Sequence, residues 1–168
     1  MIIRPENPED IAAIRIVNER AFGRPAEANL VDALRRNGKA TLSLVAEGDS
    51  QVVGHILFSP VTIESGDEQF AGVGLAPMAV LPETQNRGVG SSLVKYGLDR
   101  CREARHQFVV VLGHPDYYPR FGFVPASRFG IRSEYDVADE NFMAMELQMG
   151  ALQAQAGIVR YQPEFNEV

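Results

Sequence analysis

The 168-residue sequence contains a single cysteine, Cys101. One thiol excludes an intrachain disulfide and a cysteine-built metal cluster, and it fits a reducing, cytoplasmic compartment. No run of ~20 apolar residues is present that would span a bilayer. The start, Met1-Ile2-Ile3-Arg4-Pro5, lacks a charged leader followed by the apolar run of a secretory signal. Basic excess is also missing. The net charge is −6 and the sequence pI about 5.1, which argues against nucleic acid as the main partner. The three histidines are scattered and show no metal-ligand spacing. A P-loop, Gly-x-x-x-x-Gly-Lys-Ser/Thr, is absent, as is a Gly-x-Ser-x-Gly nucleophile elbow.

What is present reads as one soluble domain over residues 1–168, with hydrophobic and charged shares of 45% and 23% that are ordinary for a globular chain. Ile2-Ile3 suits a short strand. Asn7-Pro8-Glu9-Asp10 reads as a helix start, and Ile11, Ile14, Val17 and Ala21 follow on one face. Gly23-Arg24-Pro25 ends that helix. A second helix carries Leu30, Val31 and Leu34 and stops at Asn37-Gly38. Residues 42–46 and 51–63 flank a hairpin turn at 47–50. Residues 70–80 are strand-like but hold Gly72, Gly74 and Pro77, so this strand should be irregular, with backbone left for something else to approach. Residues 88–105 read as a helix that buries Val89, Leu93, Tyr96, Gly97 and Cys101 and wets Lys95, Asp99, Arg102 and Glu103. Phe108-Val109-Val110-Val111-Leu112 is a continuous apolar run, the mark of a central parallel strand. Further strands are expected within 142–149 and 158–161.

Gln85-Asn86-Arg87-Gly88-Val89-Gly90 sits between the irregular strand and the long helix. A helix start leaves amides without helical acceptors and is the positive end of the dipole, and glycines allow close approach, so the segment suits an anion such as a pyrophosphate. The same glycines also fit a plain strand-to-helix turn. A dinucleotide fingerprint fails, because Leu93 stands where its third glycine belongs.

The segment Val80-Leu81-Pro82-Glu83-Thr84-Gln85-Asn86-Arg87-Gly88-Val89-Gly90 resembles the acetyl-CoA signature of GNAT N-acetyltransferases, Gln/Arg-x-x-Gly-x-Gly/Ala after a strand ending Val-x-Pro. A second segment, Tyr117-Tyr118-Pro119-Arg120-Phe121-Gly122-Phe123, resembles the family's Tyr-x-x-x-Gly-Phe stretch. The order of elements matches from about residue 2 to 123. This resemblance implies a three-layer α/β/α fold whose mixed, mostly antiparallel sheet has a splayed parallel pair at its centre. It implies acetyl-CoA as co-substrate. The backbone of Met78, Ala79 and Val80 would bond the pantetheine arm. The loop amides of Gln85, Asn86, Arg87, Gly88, Val89, Gly90 and Ser91 would hold the pyrophosphate.

The implied chemistry is attack of a neutral amine on a thioester. The ammonium must lose a proton, the oxyanion needs donors, and the departing thiolate needs a proton. The resemblance places the general acid at Tyr118, four residues before Gly122, with a backbone amide near Met78 at the oxyanion; Tyr117 reads as packing. For the base, His114 follows the fifth strand and has the right ordinary pKa; Glu83, Asp116 or a water chain stay open. The family's frequent glutamate on the fourth strand is missing between Ala71 and Leu81. His55 falls in a strand, His106 at a helix end, and Cys101 on the buried helical stripe. The acceptor is a small-molecule or peptide amine, met by the first two helices, residues 22–29 and the region after Phe129. No membrane partner is expected, and a homodimer is compatible. The rival reading is a non-catalytic acyl-CoA-binding module on the same scaffold.

Overall fold

The computed structural model describes Met1–Val168 and divides them into two compact units. The first comprises residues 1–59, 76–99 and 163–168; the second comprises 60–75 and 100–162. Strands β3 (Gln51–Ser65) and β4 (Glu68–Val80) and helix α3 (Val89–Glu103) each run through both.

In the first unit, β1 (Ile2–Pro5) pairs antiparallel with β2 (Leu42–Gly48), and β2 with β3, Leu42 opposite Phe58. The register shifts at Ala46/Glu47. Leu44 and Val45 are adjacent, point to opposite faces of β2, and are both fully buried, so both faces are covered. On one face, α1 (Ile11–Phe22) and α2 (Ala26–Arg36) lay Ile14, Val17, Leu30, Val31 and Leu34 against Val45, Leu57 and Ala79. On the other, α3 packs close. A Cβ at Gly54 would stand 3.0 Å from Leu93 and Val89, and one at Gly97 would stand 2.6 Å from the Phe58 ring. This gives the expected helix–sheet–helix layering. The buried stripe of α3 is broader than its sequence pattern, because Val94 and Leu98 join Val89, Leu93 and Cys101 while Tyr96 is only half-buried.

In the second unit, β4 pairs parallel with β5 (Phe108–Leu112), Val73–Leu75 opposite Val109–Val111. This is the parallel pair expected from the apolar run. β5 pairs antiparallel with β8 (Phe142–Glu146), which also takes β6 (Val124–Pro125). β9 (Gly157–Arg160) pairs antiparallel with β3 and parallel with β7 (Ile131–Ser133). The sheet is therefore mixed and mostly antiparallel. Its core here gathers Val61, Ile63, Phe108, Val110, Ile131, Phe142, Ala144 and Val159. Strands β6 and β7 hold two and three residues, too short to show a sequence period. No helix is long and apolar enough to cross a membrane.

Candidate active site

The end of β4 is tied to the loop after it by one side chain and to β3 by its backbone. The carbonyl of Val80 accepts a hydrogen bond from Gln85 Nε2 at 3.0 Å, and Leu81 N–H donates to Val53 O at 2.9 Å. Gln85 thus turns its carboxamide back onto the strand. Pro82–Thr84 form a single 3-10 turn, closed by Thr84 N–H to Leu81 O at 2.8 Å. Asn86 and Gly88 then adopt left-handed backbone, φ +62° and +81°. At Gly88 that conformation selects glycine, and nothing lies within 4 Å of where its Cβ would be. The first helical bond of α3 runs from Ser92 N–H to Gly88 O at 3.0 Å. The amides of Val89 and Gly90 precede it and point out of the helix start, beside exposed Arg87. Loop and helix start together form a cradle of backbone donors, an arrangement suited to an anion. On β4, the side chains of Ala79 and Val80 are buried in the core, and that of Met78 is half-buried.

Tyr118 opens a 3-10 turn, Tyr118–Phe121, that ends at Gly122 with φ +108°. Its ring meets Tyr117 and Phe123 edge-on, with centroids at 5.0 and 5.7 Å. Tyr117 packs as expected and carries the Arg120 guanidinium 4.6 Å over its ring. Burial of Tyr118, with Tyr117 beside it, pushes its phenol up to about 12, so it stays protonated at neutral pH. His114 is exposed in the turn after β5, and its carbonyl accepts from Tyr117 N–H at 3.1 Å and Tyr118 N–H at 3.4 Å. His114 and Tyr118 therefore share one turn of the second unit, while the cradle belongs to the first.

The other histidine and carboxylate candidates are placed differently. His55 is fully buried, and burial lowers its pKa to about 4. Asn18 Nδ2 donates to Ile14 O at 3.0 Å and faces His55 Nδ1 at 3.2 Å, which makes Nδ1 the acceptor and leaves the proton on Nε2. Nε2 donates to Ser43 Oγ at 2.9 Å, and Ser43 hydrogen-bonds Glu6, which Arg35 grips at 2.8 and 3.1 Å. That tautomer cannot take a proton from Ser43, so the chain is structural. Sequence reasoning missed it because its members are spread over residues 6–55 and meet only by folding. Glu83 is committed to Arg20, which holds its carboxyl below the usual range and weakens it as a base. Cys101 is buried and its thiol pushed up to about 12, an inert core residue.

A layered mixed sheet with a parallel β4–β5 pair joined by α3 is the arrangement implied by the resemblance to acetyltransferases. The acetyltransferase (GNAT) domain family matches residues 2–126. A relative from Escherichia coli K12, the uncharacterized N-acetyltransferase YhbS, is 40% identical over 167 residues, 99% of each chain. The crystal structure of YhbS from Escherichia coli in complex with CoA superposes with a TM-score of 0.93 at 38% identity, covering 98% of this chain and 91% of that one. A GNAT family acetyltransferase from Brucella melitensis in complex with acetyl-CoA gives a TM-score of 0.81, also at 38% identity, over 98% and 97%. The chain belongs to the GNAT family of acetyltransferases.

Proposed function

We propose that this chain moves the acetyl group of acetyl-CoA to a primary amine by direct attack, working as one domain. The observation that carries the reading is the cradle: Asn86 and Gly88 in left-handed backbone, Gln85 locked to Val80, and the α3 amides pointing outward. The residues suit the pyrophosphate of CoA, since the loop offers backbone donors, the charge of Arg87 and open space at Gly88. Relatives of 38% identity crystallised with CoA and acetyl-CoA support the same donor.

In this reading, the backbone of Met78, Ala79 and Val80 bonds the pantetheine arm, and an amide near Met78 serves the developing oxyanion. Residues 85–91 hold the pyrophosphate. Tyr118 gives its proton to the departing sulfur. Burial pushes the phenol up to about 12, so it carries its proton through the neutral range, as a proton donor must. His114 takes the proton from the incoming ammonium. It is exposed, in the same turn as Tyr118, and without the burial that removes His55 from acid–base work.

The test is a panel of primary amines with purified protein and acetyl-CoA, following thiol release. Release that depends on one class of amine is the expected result. Release that no amine accelerates would overturn the transferase reading. Thermal unfolding with added CoA tests the donor half separately, because a ligand bound only by the native state raises the midpoint. An unchanged midpoint at saturating CoA would overturn the assignment of the cradle.

A further inference from the structure

The β5–β8 ladder pairs Leu112 with Phe142, so the next step sets Gly113 opposite Asn141. In an antiparallel ladder every second opposite pair exchanges two backbone hydrogen bonds, and the Gly113 N–H bond to Asn141 O marks this as such a pair. The first is present: Gly113 N–H donates to Asn141 O at 2.9 Å. The second is displaced. Asn141 N–H turns away to Ala138 O at 3.0 Å and closes the 3-10 turn Asp139–Asn141. The carboxamide of Asn141 takes its place, with Nδ2 donating to Gly113 O at 3.1 Å. One residue therefore holds Gly113 by both its N–H and its carbonyl.

The Tyr118 ring is seated on that glycine. A Cβ at position 113 would stand 2.4 Å from Tyr118 Cε2, 2.9 Å from Cδ2 and 3.5 Å from Cζ. No side chain fits there, so the ring rests on the Gly113 backbone, while Tyr117 and Phe123 meet it edge-on. The place of the hydroxyl follows the place of Gly113, and Asn141 sets the latter.

We propose that Asn141 is a positioning residue for Tyr118, pinning the Gly113 backbone on which the phenol is seated. The kinetic consequence rests on the general-acid reading of Tyr118; the seating does not. A splice between turn and strand with no bearing on Tyr118 is the competing role, and stability alone would not tell the two apart.

The experiment follows the tyrosines directly. Protein labelled with 13Cζ-tyrosine is compared with its Asn141→Asp and Asn141→Ala variants, the Tyr118 resonance being assigned by its loss in Tyr118→Phe. Asn141→Asp keeps the size and the turn and removes the donor, so it also serves if the alanine variant unfolds. In both variants the Tyr118 resonance should shift and its titration fall from about 12 toward the ordinary value, with Tyr96, Tyr135 and Tyr161 unmoved. With an amine from the acceptor panel, kcat should drop on the order of tenfold at unchanged KM for acetyl-CoA. In a Tyr118→Phe background, Asn141→Asp should cost nothing further. A folded Asn141→Asp protein whose Tyr118 resonance and titration stay in place would overturn the proposal. If Tyr118→Phe itself keeps full turnover, the acid reading fails and the seating is judged by the resonance alone.

Discussion

Arg20, in the last turn of α1, grips Glu83 with both prongs of its guanidinium, Nη1 to Oε1 and Nη2 to Oε2, each at 2.8 Å. Glu83 lies in the 3-10 turn that delivers the chain into the anion cradle. The pair therefore ties α1 to the turn that leads into the proposed pyrophosphate loop. Both groups are exposed, so the pair adds little to global stability. Arg20→Gln or Glu83→Gln should leave the thermal midpoint nearly unchanged and weaken CoA binding roughly threefold by calorimetry. The exchanged pair Arg20→Glu/Glu83→Arg should recover most of that loss. A Glu83→Gln enzyme that binds CoA normally but loses turnover a hundredfold would instead make Glu83 the base, against its lowered pKa.

Replacing Tyr118 with Phe removes one oxygen and keeps the ring contacts with Tyr117 and Phe123. Turnover should fall by about 10²–10⁴ if the phenol is the acid. CoA affinity should hold. A merely CoA-binding module would show no change in either, and single-turnover assays beside CoA titration separate the outcomes.

Acid should destabilise the protein through His55. Its folded pKa of about 4 lies below the ordinary 6.5, so the unfolded chain binds the extra proton first. The stabilising contribution is complete above pH 6.5 and is lost as pH falls toward 4, a difference of roughly 3 kcal/mol. Glu6, with its pKa lowered from 4.5, adds to the loss only below that value. Urea unfolding at pH 7, 5.5 and 4.5 should show the decline. His55→Gln should be less stable at pH 7 and flat across this window. An equally steep decline in that variant would place the titration elsewhere.

Gly88 combines φ +81° with open space, so an added methyl meets no neighbour and only the backbone is penalised. Gly88→Ala should cost about 1–2 kcal/mol of stability by urea unfolding and weaken CoA binding, because the loop amides shift with the backbone. Gly72 provides the contrast. There a Cβ would stand 2.4 Å from the Phe108 ring, and Gly72→Ala should lower stability by about 1–3 kcal/mol through overpacking. A shorter partner, Phe108→Leu, should relieve part of that cost. Additive losses in the double variant would show that the two residues do not compete for the same space.

The β4–α3–β5 parallel unit and the strand-to-helix turn before α3 were legible because each is a local pattern, while the layering followed from the family resemblance. The apolar run at 108–112 can only be buried on both faces, and a glycine at position 88 followed by helix-forming sequence marks a strand-to-helix turn. The edges were not legible. β6 and β7 are too short to show a period, and β7 pairs parallel with β9 across sequence that carries no signal for it. At residues 142–149 only Phe142–Glu146 are strand, since Leu147 and Gln148 turn their N–H groups to Gln107 O.

Sequence alone determined the order of elements and the strand-to-helix turn at residues 85–90, since glycine spacing and apolar periodicity are properties of neighbouring residues, and two short segments carried the resemblance to the family. Tertiary structure decided which ionisable groups are available for chemistry. His55 and Glu83 are each engaged by partners remote in sequence: Asn18 and Ser43 for one, Arg20 for the other. The pinning of Gly113 by Asn141 beneath Tyr118 belongs to the same class. A side chain's protonation and aim depend on its surroundings in space, and those surroundings exist only once distant segments have packed together.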